Sequence, residues 1–217
     1  AVRAQFVVSG NVRDLYPGAE AGALRFVSFE SAVWRILEAR GYLGFLVHDP
    51  VDGLRLHEEC DPRVAEVLGE CGIEVGHVAR DPRDLAALAR RIVSEARVPV
   101  AVMLDYASTF TRFPTEDVDH MFIAMDKASR MPPLARPALE VAMPPRNPVI
   151  WVMDRPGDMP EWFLSGNPML RKLTIGTPDL SERISFVSDR AASLPDAEGM
   201  EGQARAEHVE KLALSGE

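Results

Sequence analysis

Residues 98–104, VPVAVML, run straight into Asp105, and their reading decides the fold. A strand with one wet face alternates apolar and polar residues. An unbroken, valine-rich run marks a strand buried on both faces, as in a parallel sheet. Three other stretches share this form: 5–9 (QFVVS), 43–47 (LGFLV) and 149–153 (VIWVM). They lead into Asn11, His48-Asp49 and Asp154. Residues 172–176 (KLTIG) make a weaker fifth.

Helical signals lie between these runs. Ser28 is placed to cap a helix with Phe29, Val33, Ile36 and Leu37 on one face, ended by Gly41. Asp61-Pro62 opens a short helix with Val64, Val67 and Leu68. The clearest helix, 81–97, has Asp81 as cap and Pro82 in its first turn. Its stripe is Leu85, Leu88, Ala89, Ile92, Val93 and Ala96. A helix over 115–130 carries Val118, Met121, Phe122 and Met125, with Glu116 and Asp117 at its positive end, read with Asp119 as a solvated helix start. Asp179 and Glu182 have the spacing of a capping box and open a helix through Ile184 and Val187. The prolines of 131–148 predict a long loop with a short helix at 138–142. Residues 204–214 (ARAEHVEKLAL) form a last amphipathic helix. Strands alternating with helices predict an α/β fold: a three-layer sandwich around a five-stranded, mostly parallel sheet with right-handed crossovers.

Composition narrows the function. A chain of 217 residues, 47% hydrophobic and 26% charged, is that of an ordinary globular protein and not a largely disordered one. No apolar run approaches the ~18 residues of a membrane span. With 24 Lys+Arg against 33 Asp+Glu the net charge is −9, which repels phosphate, so a polyanion gripped by the whole surface is not expected, a local basic patch stays open, and neither nucleic acid nor a membrane is an evident partner. Two cysteines, Cys60 and Cys71, make no disulfide framework and point to a reducing, cytoplasmic setting. The start at Ala1, without Met or a signal pattern, predicts a processed product or an excised piece.

Ligands of open parallel sheets bind at the strands' carboxyl ends. The residues to weigh are therefore Ser9-Gly10-Asn11, His48-Asp49, Asp105-Tyr106 and Asp154-Arg155. Three acids at one sheet edge have the hard oxygen ligands for Mg²⁺ and a phosphate. Aspartate after a strand is also an ordinary turn former. His57, Cys60, Cys71 and His77 are zinc-type ligands, but their order and spacing fit no standard finger, and buried cysteine is the preferred reading. Neither a G-x-S-x-G elbow nor a G-x-G-x-x-G fingerprint occurs. Trp151 fits a buried strand, and Trp34 and Trp162 fit helix-packing positions.

At this point a resemblance emerges. Residues 100–108 (VAVMLDYAS) resemble the Walker B strand of P-loop ATPases, with Asp105 in the place of its acid. Residues 149–160 (VIWVMDRPGDMP) resemble the sensor-1 strand of AAA+ ATPases. Residues 170–179 (LRKLTIGTPD) resemble the AAA+ segment in which an arginine finger precedes the last core strand, with Arg171 in the finger or interface position. The three occur in the family's order, between about Val98 and Arg183, and QFVVS takes the place of the strand that feeds the phosphate loop. The resemblance implies a P-loop NTPase or AAA+-like core over 1–188, followed over 189–217 by a linker and the start of a helical lid. It also implies a homo-oligomer, or an adjacent AAA+ module of the same polypeptide, as partner.

The departures point away from catalysis. A Walker A loop needs Gly-Lys-Ser/Thr, because its lysine neutralises phosphate and its hydroxyl holds Mg²⁺. The three lysines, Lys127, Lys172 and Lys211, follow Asp126, Arg171 and Glu210, so there is no Gly-Lys. Tyr106 stands where a glutamate would orient the attacking water, and a phenol with a pKa near 10 is a poor base at neutral pH. Asp154 puts a carboxylate where the family has a neutral amide. Each preorganised donor lost costs about 3–4 kcal/mol of transition-state stabilisation. The expected module is a degenerate one that acts in assembly or regulation of a larger AAA+ ATPase. It binds ATP and Mg²⁺ at low affinity at most, through Asn11, Asp105, Tyr106 and Asp154, with helix N-termini and Arg13 or Arg25 supplying charge. Two alternatives stay open: an active NTPase with an unorthodox phosphate loop in 9–22, and a stand-alone α/β domain that binds a small ligand through His48, Asp49, Asp105 and Asp154.

Overall fold

Each apolar run becomes a strand in the computed structural model, which describes residues 3–20, 23–131, 146–190 and 202–215. The strands are β1 (Gln5–Gly10), β4 (Gly44–Asp49), β6 (Val100–Leu104), β7 (Val149–Met153) and β8 (Leu170–Ile175). They form one sheet with β5 (Gly53–Leu56), in the order β5-β4-β6-β7-β1-β8. All neighbours are parallel except β4 and β5. The sheet thus has one strand more than the sequence predicts. Asp49 makes the extra hairpin: its Oδ1 accepts the N–H groups of Val51 at 2.7 Å and Asp52 at 2.8 Å. The outer side of β5 is paired at its middle, where Leu54 N–H donates to the His77 carbonyl at 2.8 Å and Gly76 N–H donates to the Leu54 carbonyl at 2.6 Å.

The helices are α1 (Phe29–Glu38), α2 (Arg63–Glu70), α3 (Pro82–Glu95), α4 (Thr115–Arg130), α5 (Glu161–Gly166), α6 (Leu180–Arg190) and α7 (Gly202–Ser215). Local chemistry sets several starts. Asp81 accepts the Asp84 N–H at 2.9 Å, and Ser28 accepts the Ser31 N–H at 3.1 Å. Asp179 and Glu182 exchange reciprocal bonds of 2.9 Å, completing the capping box.

Alternation along the strands assigns the two faces. Val100, Val102, Leu104, Val149, Trp151 and Met153 share a core with α3, α4 and α5, through Leu85, Ile92, Phe122, Met125 and Phe163. The intervening Ala101, Met103, Ile150 and Val152 are buried too. On that second face Trp34 of α1 stacks on Phe45 of β4, with ring centroids 6.4 Å apart. Helices on both faces explain why the strands read as unbroken apolar runs. The centre of the larger core is aromatic: Phe122 lies 5.8 Å from Trp151 and 5.0 Å from Phe163. Each such side chain contributes about 1.5–3 kcal/mol by leaving water. Two buried amide side chains are paired on both their oxygen and their nitrogen. Gln5 donates to the Met125 carbonyl at 2.6 Å and accepts the Trp151 indole N–H at 2.9 Å. Asn147 accepts the Val100 N–H at 3.1 Å and donates to the Ile92 carbonyl at 3.0 Å. Trp162, read as a packing residue, is instead 47% exposed, because its neighbour Phe163 takes the buried position.

Two compact units share the chain. The first, 1–12 with 33–175, holds the six-stranded sheet. The second joins 13–32 to 176–217. In it β2 (Leu15–Glu20) and β3 (Ala23–Ser28) pair antiparallel, from Leu15 opposite Ser28 to Glu20 opposite Ala23. Phe26 meets Phe186 of α6 edge-on at 5.0 Å, and Tyr16 lies 5.5 Å from Phe29. Much of the stretch read as a loop after β1 is therefore strand. The helix expected at 138–142 and the side chain of Arg25 lie outside the described residues.

Candidate functional site

The connection leaving β1 leads past β7 and β6 to β4, whereas the connection leaving β7 crosses β1 to β8. In open parallel sheets ligands favour the point where the connections of two neighbouring strands part like this, here between the carboxyl ends of β1 and β7. Ser9 is in register with Met153, so Gly10 and Asp154 occupy the next rung. Gly10 has φ +94°, and a Cβ there would collide with the Ile175 carbonyl. Asn11 donates its backbone N–H to that same carbonyl at 3.0 Å. The end of β1 is thus stitched to β8.

Asp105 leaves β6 by donating its N–H to the His48 carbonyl at 2.8 Å. Its Oδ1 accepts the N–H of Tyr106 at 2.8 Å. Tyr106, with φ 50°, is in the left-handed region and 47% exposed. A 3-10 turn, Ala107–Arg112, follows. Its buried Ser108 hydroxyl donates to Asp158 Oδ2 at 2.7 Å and accepts the Asp154 N–H at 2.9 Å. One hydroxyl thereby ties the loop after β6 to the loop after β7. Between them lies a cleft of about 300 Å³, lined by Ser108, Thr111, Arg112, Asp154, Arg155 and Asp158.

Of the sequence candidates, Asp154 and Arg155 line this cleft; Asn11, Asp105 and Tyr106 do not. The three-acid cation site does not form. Asp49 is spent on its hairpin turn, and register puts Asp105 on the rung of Val152, two behind Asp154. Among the described residues no three of His, Cys, Asp and Glu stand where they could share a metal ion. His48 is fully buried, with the Ala79 N–H donated to its Nε2 at 3.1 Å and the Phe110 ring 6.1 Å away. Burial, the largest influence, pushes its pKa below the ordinary 6.5. The zinc-type residues are also structural. His57 packs by the rings of Trp34 and Phe45, and His77 pairs with Asp84 at 3.1 Å. Cys60 accepts the Phe45 N–H at 3.3 Å, and burial pushes its thiol up to about 11.

Arg171 is exposed at the start of β8, in register with Phe6. At ~3.3 Å per strand residue it sits about 13 Å back from Ile175 and the carboxyl edge. Ser108, Thr111, Arg112 and Asp158 were missed, because each lies three or more residues past its strand. The run Arg155-Pro156-Gly157-Asp158, a turn with charges at both ends, was the available signal.

A mostly parallel sheet in this order, with helices on both faces, defines a Rossmann-like α/β domain. The model of the family described as AAA+ chaperone, N-terminal Rossmann-like domain, matches residues 1–176, and the chain belongs to that family. It is accordingly part of a larger AAA+ protein. No curated protein matches the chain. Among the described residues no helix is long and apolar enough to cross a membrane.

Proposed function

We propose that this domain is a non-catalytic AAA+ module that acts in assembly or regulation of the chaperone it belongs to. The observation that carries the reading lies between β1 and α1. There an active P-loop protein needs a short glycine loop with a lysine; here the chain has the β2–β3 hairpin and no lysine. The residues present do not fit a bound Mg-triphosphate. The Asn11 N–H is taken by the Ile175 carbonyl, one Asp105 oxygen by Tyr106 N–H, and Asp154 adds like charge. Nucleotide binding is weak at most.

Arg171 supports contact with a neighbouring subunit or module, since it is exposed at the end of the sheet away from its own carboxyl edge. In this reading 1–188 form the core, and 189–217 lead through a linker into the start of a helical lid. The two free cysteines favour a cytoplasmic setting.

Titrating Mg-ATP while following tryptophan fluorescence tests the proposal. The expected result is no saturable binding at micromolar nucleotide. ATP hydrolysis that Asp105→Asn abolishes overturns it. In the full chaperone, Arg171→Ala is expected to impair assembly and leave this domain's melting temperature unchanged.

A further inference from the structure

The cleft between the turn after β6 and the loop after β7 has a charge pattern that an assembly role does not use. Arg112 and Arg155 line it together with Asp154 and Asp158. Among the described residues, neither guanidinium nor the Asp154 carboxylate has an ion-pair or hydrogen-bond partner. Asp158 holds the Ser108 hydroxyl on one oxygen. Two cationic and two anionic groups therefore share one polar cavity without neutralising one another.

We propose that this cleft binds a small zwitterion of the amino-acid type, its carboxylate toward Arg112 and Arg155 and its ammonium toward Asp154 and Asp158. The formal charges of the four groups cancel, and that selects the ligand. A phosphate gains two guanidiniums but meets two carboxylates. A magnesium ion gains two carboxylates but meets two guanidiniums, and it prefers about six oxygen ligands. Only a ligand carrying both signs gains from all four. Guanidinium matches a carboxylate through paired N–H donors, and a carboxylate accepts readily from an ammonium. The volume, about 300 Å³, lies at the small end of ligand cavities and suits a molecule the size of one amino acid.

The Asp158 carboxylate and the Asp154 backbone are fixed in advance. Ser108 is 2% exposed, and its hydroxyl holds both the Asp158 carboxylate and the Asp154 backbone. Thr111 Oγ1 donates to the Ser108 carbonyl at 2.7 Å, tightening the turn beneath them. Groups already in place lower the ordering cost of binding.

The test is calorimetric titration of the full chain with the proteinogenic L-amino acids one at a time, beside acetate, ethylamine, inorganic phosphate and Mg-ATP. At least one amino acid is expected to saturate in the micromolar to millimolar range. Arg155→Gln and Asp154→Asn, both at exposed positions, are each expected to weaken it about tenfold, as for the loss of one charged contact, with melting temperatures unchanged. Failure of every amino acid to saturate at tens of millimolar overturns the proposal. So does acetate or phosphate binding as tightly as the best amino acid, or affinity untouched by Asp154→Asn.

Discussion

Ser108 donates its hydroxyl to Asp158 at 2.7 Å while accepting the backbone N–H of Asp154 at 2.9 Å. The loops after two neighbouring strands therefore hang on one buried oxygen. Ser108→Ala removes it and strands the Asp154 N–H. The expected cost is about 1–3 kcal/mol, the range for a buried polar group left unpaired. A urea midpoint equal to that of the unmodified protein would show that the loops hold each other without it.

Glycines 10 and 69 should respond in opposite directions to alanine. At Gly10 the backbone is left-handed and the added carbon meets the Ile175 carbonyl, so Gly10→Ala is expected to cost about 1–3 kcal/mol. At Gly69, exposed within α2, an added carbon meets nothing within 4 Å. There Gly69→Ala is expected to stabilise by up to about 1 kcal/mol, through helix propensity alone. Thermal melting of the two variants reads both signs.

His48 gives stability a dependence on acid. Its pKa is held below 6.5 in the folded chain, chiefly by burial. Asp49 and Asp84 oppose the shift and His77 adds to it. The unfolded chain therefore takes up the proton first. The contribution is fully present above 6.5 and is lost as pH falls from there through the lower folded value. His48→Gln, which can still accept the Ala79 N–H, should flatten the fall in denaturant midpoint on acidification. Equal slopes in the two proteins would assign the acid sensitivity to other groups.

The two thiols should be alkylated in a fixed order. Cys60 is buried, and its pKa of about 11 leaves almost no thiolate at neutral pH. Cys71 is only half-buried. Iodoacetamide followed by mass spectrometry should label Cys71 in the native protein and Cys60 only in denaturant. Native labelling of Cys60 at the same rate would show that its pocket opens.

What the sequence discloses depends on how local the cause is. Strands buried on both faces betray themselves by their own composition, as in 98–104 and 149–153. Caps are just as local, so Asp81-Pro82 and the Asp179–Glu182 box are legible. β5 is not, because Gly53-Leu54-Arg55-Leu56 has no β-branched residue and is held by β4 on one side and by Gly76 and His77 on the other. The β2 strand hides behind Pro17 and Gly18, its order supplied by β3. Glu116 and Asp117 read as a solvated helix start, yet Arg83 of α3 reaches them at 3.2 and 2.5 Å. In the cleft, Asp154 is visible as a strand-end acid. Its partnership with Ser108 spans 46 positions and rests on the β6–β7 register, which no local pattern encodes.

The bonds from Gly76 and His77 to Leu54 have a consequence for how molecules of this kind could stick together. They occupy the outward N–H and C=O of Leu54 at the middle of the β5 flank, where a foreign strand would otherwise pair. Among the described residues nothing pairs with the outward backbone of 171–174 on the β8 flank. Edge-to-edge pairing is therefore directed to the β8 flank, where two molecules joined along Leu170–Ile175 would use up each other's template.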